Sequence, residues 1–430
     1  MMAALKERVF ARLDARLNHQ GPEPVALALS GGGDSRALLA LAAEWGRARG
    51  RAIVALTVDH RLNPDSANWT RKAGEAAHAE GVAWRDLVWN EARGGTAVQA
   101  RARAARHELL ADAAREVGAK VILVGHTLDD VAENRWMQRD GGTVGNLREW
   151  SASPAWPQGR GLMLMRPLLG ERREDLRAYL AEAGKDWIDD PANEDSRYHR
   201  IRARQALAGE VERDAAHDLH MFEWRAGSLA PFGVLEFSRA DLNAANGRVL
   251  ATALLCASGQ TRPPRGDRLQ SLRERLGSEE AFTAVLSGAR VEVQDDAVTI
   301  LREAGEMQRS NLEPLPLEPN VPAVWDGRFE IVTDEQGMTV HPAKGLMSKL
   351  PDEERRILSA LPASVRASLP VIVCQGSYRP SLAFHKAKVS ALAGLRFLLN
   401  CPAGMGETTQ EAGLFASTHG ITRSTTLFSV

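Results

Sequence analysis

Short apolar runs alternate with longer segments of helical period through the N-terminal half of the chain. Leu5, Val9, Leu13 and Leu17 recur at intervals of four and predict a helix over residues 3–18. Residues 25–29 are one continuous apolar run and read as a buried strand. Leu38, Leu41, Ala42 and Trp45 then share a helix face in a segment that closes near Gly50. The pattern repeats, with strands predicted at 52–58, 82–89 and 121–124 and a helix at 66–80. Thr96-Ala97-Val98-Gln99 matches a capping box and opens a helix that runs to about residue 117. A last apolar run at 163–169 precedes a helix at about 172–183, stopped by Gly184. Short buried strands alternating with helices indicate an α/β fold built on a doubly wound parallel sheet.

Beyond residue 204 the pattern changes. Residues 141–161 and 187–196 already read as loops, rich in Gly, Pro and polar residues. Residues 205–283 are largely helical in period, interrupted near 260–266. Residues 289–293 and 297–301 flank Gln294-Asp295-Asp296 as a hairpin, and 311–322 carry four prolines and read as a linker. Asp326-Gly327 then suits a two-residue hairpin loop, because both positions tolerate positive φ. The expected organisation is a catalytic domain at 1–204, a mainly helical middle domain at 205–312 and a small α+β domain at 313–430.

Length and composition narrow the class. The chain has 430 residues, enough for two or three domains. Its net charge of −1 means that nucleic-acid binding has to rest on local basic patches. The cysteines, Cys256, Cys374 and Cys401, are far apart, so no Cys-x-x-Cys metal motif can be read and a reducing compartment fits. The N-terminal helix is charged, and neither a signal peptide nor a transmembrane run is legible. A cytoplasmic location is expected, and the oligomeric state stays open, a homodimer included.

Candidate chemistry begins where the first strand ends, at Ser30-Gly31-Gly32-Gly33-Asp34-Ser35. Glycines allow close backbone approach, and the amides of such a turn at a helix N-terminus form an anion site. There is no Lys for a Walker loop, and Asp34 and Ser35 fill the later positions of a dinucleotide turn. Asp34 beside a phosphate site needs a cation or a positive substrate group between them. Ser30, Asp59 and His126 all fall at strand ends, where ligands bind in doubly wound sheets. His126, Asp129, Asp130 and Glu133 cluster just beyond one such end. These acids offset a helix dipole, hold Mg²⁺ through oxygen, or receive a cationic amine. Arg103 and Arg106 share a helix face, either as a solvated basic surface or as phosphate contacts to ATP or RNA. The segment 197–204 carries Arg197, Arg200, Arg202 and Arg204 with no acid, and Tyr198 could stack on a base.

Ser30-Gly-Gly-x-Asp34-Ser35 resembles the pyrophosphate loop of the ATP-pyrophosphatase (PP-loop, adenine-nucleotide α-hydrolase-like) class, which adenylates an oxygen and releases pyrophosphate. Asp59-His60, His126-x-x-Asp129-Asp130-x-x-Glu133, Arg166-Pro167-Leu168 and Asp190-Pro191-Ala192-Asn193 follow in the order seen in tRNA(Ile)-lysidine synthases. The resemblance covers about 20–204 specifically. It implies an enzyme that adenylates O2 of the wobble cytidine in an isoleucine tRNA with a CAU anticodon, and then joins free lysine to C2 through its ε-amine. By resemblance, Ser30 to Ser35, Asp59 and Arg106 bind ATP. Asp34, Asp130, Glu133 and His126 are catalytic, Asp34 and Asp130 hold Mg²⁺, and Arg103 with the four arginines of 197–204 binds tRNA. The family often has His-His where this chain has Gly125-His126. Two other readings compete: an adenylating enzyme of a small molecule, and a non-catalytic RNA-binding module. The basic segment and long second half weigh against the first, and intact Ser30, Asp34, Asp130 and Glu133 against the second.

Overall fold

The computed structural model describes residues 2–90, 98–140, 147–189, 224–278, 280–310, 312–376, 379–401 and 409–414. They fall into two compact units, one N-terminal and joined by the segment from Thr409, the other beginning after residue 218.

The first unit holds a six-stranded sheet in the order β3-β2-β1-β4-β6-β5. The strands are β1 (Val25–Ala28), β2 (Ile53–Asp59), β3 (Ala83–Val88), β4 (Val121–Leu123), β5 (Trp150–Ala152) and β6 (Met163–Met165). All neighbours are parallel except β5, which pairs antiparallel with β6 at the edge. The doubly wound sheet expected from the sequence is present. Its order reverses between β1 and β4, which makes the cleft beyond their carboxyl ends the natural ligand site. The helices are α1 (Met2–Arg16), α2 (Gly33–Arg49), α3 (Ser66–Ala79), α4 (Val98–Glu116), α5 (Leu128–Arg139) and α6 (Arg173–Glu182). Leu5, Val9 and Leu13 are the buried face of α1, as their spacing predicts. Strand β5 lies inside the stretch expected to be loop. Three residues at a sheet edge carry no readable period, and pairing with β6 alone makes them a strand.

Buried ion pairs stitch this unit together. Glu171 is 2% exposed and accepts from Arg8 and Arg12 of α1, while its carbonyl receives the Leu128 amide at the start of α5 at 2.9 Å. Arg51 and Glu411 are paired through two 2.9 Å hydrogen bonds, with side chains 0% and 1% exposed. The Asn18 amide donates to the same carboxylate at 2.8 Å.

The second unit contains the antiparallel sheet β7-β10-β9-β8, formed by β7 (Leu235–Ser238), β8 (Phe282–Leu286), β9 (Ala289–Gln294) and β10 (Ala297–Arg302). The expected hairpin is β9–β10, with Asp295 at φ 48° in its turn. Strand β7 lies where the sequence reads as helical, and β8 begins at the end of that stretch. Each is four or five residues long and takes its conformation from cross-strand pairing with β10 and β9. The Asp326-Gly327 turn is a three-residue loop, because Trp325 pairs with Phe329. The two downstream segments interpenetrate within one unit. Ala393, Phe397 and Cys401 pack into the core of the β7–β10 sheet, and Arg302 and Arg328 meet on Asp326 at 3.1 and 2.8 Å. Among the described residues no helix is long and apolar enough to cross a membrane.

Glu411→Gln leaves the Arg51 guanidinium buried against a neutral partner. Denaturant unfolding of this variant is expected to show a loss of about 3 kcal/mol. The pair Arg51→Met with Glu411→Leu should recover most of it, and an unchanged midpoint in the single variant would contradict the clasp.

Candidate active site

Strand β1 ends at Ala28, and α2 starts at Gly33 with Gly32 as N-cap and no side-chain cap. The first amides of α2 are therefore left for a ligand, at the positive end of the helix dipole. Gly31 has φ 86°, and a Cβ there would lie 2.5 Å from Ile188 Cδ1. The Ile188 amide donates to the Gly31 carbonyl at 2.9 Å, so residue 188 packs across the loop. Ser35 serves the loop itself. Its Oγ donates to the Gly32 carbonyl at 3.0 Å, accepts the Ser30 amide at 3.2 Å and lies 3.0 Å from Ser30 Oγ. Gly125 at the end of β4 is equally constrained: a Cβ there would stand 3.1 Å from the Ser35 backbone. The absence of a side chain at Gly125 therefore lets the end of β4 approach the glycine loop closely.

Thr127 caps α5. Its Oγ1 accepts the Asp130 amide, and Asp130 Oδ2 accepts the Thr127 amide at 2.7 Å. The box fixes Asp130, and Glu133 follows one turn later on the same face, 2% exposed. Both carboxylates, with Asp34 from α2, converge on Arg173. Its Nε donates to Asp34 Oδ2, one Nη to Glu133 Oε1 and the other to Asp130 Oδ1, each at 3.1 Å. The Arg173 amide donates to Asp129 Oδ2 at 2.8 Å, so backbone and side chain are both anchored to the cluster. Burial works against the Arg173 charge, but Asp130, Asp34 and Glu133 reverse this and hold its pKa above the usual arginine value. Burial raises the Asp34 pKa, with Arg173 pulling it back down and Asp130 pushing it up.

Among the described residues the three carboxylates share the Arg173 guanidinium, and such a cluster of acids suits a cationic ligand. Asp34 Oδ1 is buried and makes no hydrogen bond, which suits a cation such as Mg²⁺. Asp130 fits less well than its sequence position suggested, since Oδ2 serves the cap and Oδ1 serves Arg173. Among the described residues no group of three or more His, Cys, Asp or Glu forms a metal cage.

A second group of side chains, near the end of β4, is basic among the described residues. Arg166 is 7% exposed, and its Nε donates to His126 Nδ1 at 3.0 Å. One Nη reaches the Arg148 carbonyl at 2.7 Å and Ser151 Oγ at 3.0 Å. Burial, with the charges of Arg148 and Arg103, pushes the Arg166 pKa down to about 10. Burial and the charges of Arg106, Arg103 and Arg166 push His107 down to about 3, so it is neutral in the physiological range. Burial and Arg106 also lower His60, whose Nδ1 is buried without a partner at the end of β2. Asp59, 9% exposed, spends Oδ1 on the Arg61 amide at 2.8 Å.

The structure thus brings Asp34, Asp130 and Glu133 together and places Asp59 at a strand end, as the sequence suggests. His126, Arg103 and Arg106 belong to the basic wall. Arg197, Arg200, Arg202 and Arg204 lie outside the described residues, as does Asp190-Pro191-Ala192-Asn193. Sequence reasoning missed Arg173. The available signal was its sign: an arginine in the first turn of a helix opposes the dipole and needs acids nearby.

A PP-loop domain model matches residues 5–211. The chain is similar to the tRNA(Ile)-lysidine synthase of Caulobacter vibrioides, at 46% identity over 85% of this chain and 88% of the relative. It is also similar to that of Hyphomonas neptunium (36%, 66% of this chain and 83% of the relative) and that of Brucella anthropi (34%, 72% and 74%). A PP-loop fold carrying an acid trio at its switch point, with this similarity along most of both chains, places the protein in the tRNA(Ile)-lysidine synthase family.

Proposed function

We propose that this enzyme adenylates O2 of the wobble cytidine of an isoleucine tRNA with a CAU anticodon and then joins lysine to C2 through its ε-amine, releasing AMP. The observation that carries this reading is the convergence of Asp34, Asp130 and Glu133 on Arg173 beside the glycine loop. Phosphates and an amine must meet in such a reaction, and here an anion-binding turn abuts a cluster of acids.

Each wall has a task. The amides of Gly31 to Gly33 and the α2 dipole receive ATP phosphates, and their fixed orientation favours charge that develops on the leaving pyrophosphate. Asp34 Oδ1 would hold Mg²⁺, whose charge offsets that of the phosphates. Asp130 and Glu133 receive the lysine ammonium, and Arg173 keeps them from repelling each other. Arg103, Arg106 and the arginines at 197, 200, 202 and 204 contact phosphates, Arg106 on ATP and the others on tRNA. Holding three substrates in one orientation supplies much of the rate. Such an enzyme works in the cytoplasm, where its tRNA and free lysine are.

Incubation with radiolabelled lysine, ATP-Mg²⁺ and an isoleucine tRNA transcript bearing CAU should transfer label to the RNA. A transcript with the wobble C replaced by U should take none; equal labelling of both, or of neither, refutes the proposal. Arg173→Gln removes the cation that opposes the burial shift of Asp34, so the Asp34 pKa rises further. The carboxylate is then protonated at higher pH, and the acid limb of kcat/KM should move up by about one pH unit. An unmoved limb would mean that Arg173 does not set the charge of the trio.

A further inference from the structure

The residues just after α6 run along the glycine loop. A Cβ on Gly33 would stand 3.6 Å from Trp187 Cδ1, and one on Gly32 3.9 Å from the Ile188 carbonyl oxygen, so this segment covers the face on which Gly31 meets Ile188. The hydrogen bond between them runs from the Ile188 amide to the Gly31 carbonyl, at 2.9 Å. The Gly31–Gly32 peptide is trans, so its C=O and N–H point in opposite directions. With the Gly31 carbonyl turned towards Ile188, the Gly32 N–H points to the other face of the loop. Among the described residues that amide donates to nothing. Gly32 has φ −69°, and a flipped peptide would make this angle positive, which glycine tolerates as readily. The loop sequence alone therefore does not choose between the two orientations. The covering segment is itself anchored. Lys185 Nζ donates to Glu80 Oε1, and the same oxygen receives Arg36 of α2 at 2.9 Å. Glu80 lies just past the end of α3 with its side chain 5% exposed. The Arg36 amide donates to the Gly32 carbonyl at 2.9 Å. Glu80 thus ties the first turn of α2, which carries the loop, to the segment that lies on it.

We propose that Ile188 is a positioning residue: its backbone amide locks the Gly31–Gly32 peptide so that the Gly32 N–H faces the pyrophosphate portion of ATP, and Lys185, through Glu80, holds Ile188 in place. An amide fixed in this way needs no reorientation as charge develops on the departing pyrophosphate. The flipped peptide would present the Gly31 carbonyl oxygen to the phosphates and replace an attraction by a repulsion. The Ile188 side chain packs on Gly31, but the hold on the carbonyl belongs to the backbone. The lock stands on these hydrogen bonds and contacts; the assignment of the Gly32 amide to pyrophosphate rests on the proposed adenylation.

Calorimetric binding of a non-hydrolysable ATP analogue and of AMP, both with Mg²⁺ and the whole chain, tests the lock. The two ligands differ in the β- and γ-phosphates. Ile188→Pro removes the amide donor and should weaken the ATP analogue about tenfold while leaving AMP within about twofold. Ile188→Ala keeps the donor and should bind the ATP analogue within about threefold of wild type. Lys185→Met leaves Glu80 paired with Arg36 and should weaken the ATP analogue by about threefold, and Lys185→Arg should restore it. If Ile188→Pro weakens neither ligand, or if Ile188→Ala weakens the ATP analogue as much as Ile188→Pro does, the amide is not the lock and the proposal is overturned. Equal weakening of the ATP analogue and AMP overturns it too, because the loss then does not lie at the pyrophosphate. Should the proline variant not fold, an unchanged affinity of Lys185→Met for the ATP analogue overturns the proposal. If the variants behave as expected while the wild-type enzyme transfers no lysine to any transcript, the lock stands and the proposed function fails.

Discussion

The site depends on one guanidinium. Arg173 lies among carboxylates contributed by α2 and α5, and without it these largely buried acids would repel one another. Two unit charges about 4 Å apart interact by roughly 4 kcal/mol at an effective dielectric near 20. Several such pairs are too costly to leave unopposed, and a helix N-terminus is an unfavourable place for a cation unless acids surround it. Each element therefore makes the other tenable. Arg173 is in turn held by the Asp129 carboxylate, and the nearby Glu171 carbonyl fixes the start of α5. Residues 166–173 form a bracket that carries Arg166 to the basic wall and Arg173 to the acidic one.

The sheet and the glycine loop were legible in the sequence because they rest on local signals. Apolar runs of strand length, helix faces at intervals of three and four, and glycines at a strand end need no knowledge of tertiary contacts. The acids of α5 were legible for the same reason, being close in sequence. What could not be read were long-range pairings. Arg173 lies 139 positions from Asp34, and nothing in the spacing of either announces the other. Ser35 was expected to face phosphate, and its hydroxyl instead closes the loop through Gly32 and Ser30. Asp130 was expected to serve Mg²⁺, and one oxygen is spent on the Thr127 cap. Both cases show a polar group claimed first by its own backbone. Strands β5, β7 and β8 were missed because strands of three to five residues take their conformation from pairing, not from period.

The two walls divide the chemistry by sign. The acidic wall suits an ammonium and a divalent cation, and the basic wall suits phosphate. Gly125 keeps the end of β4 against the glycine loop, so a substrate reaching one wall is near the other. His107 sits on the basic side as a neutral ring, through burial among arginines.

The central claim is that the Arg173-bound acids receive the amine of lysine. Calorimetric binding of lysine to the enzyme loaded with Mg²⁺ and a non-hydrolysable ATP analogue tests it most directly. Glu133→Gln should weaken lysine binding by about tenfold or more and leave the affinity for the ATP analogue unchanged. Unchanged lysine binding together with weakened nucleotide binding would show that the acids serve the phosphates and contradict the account.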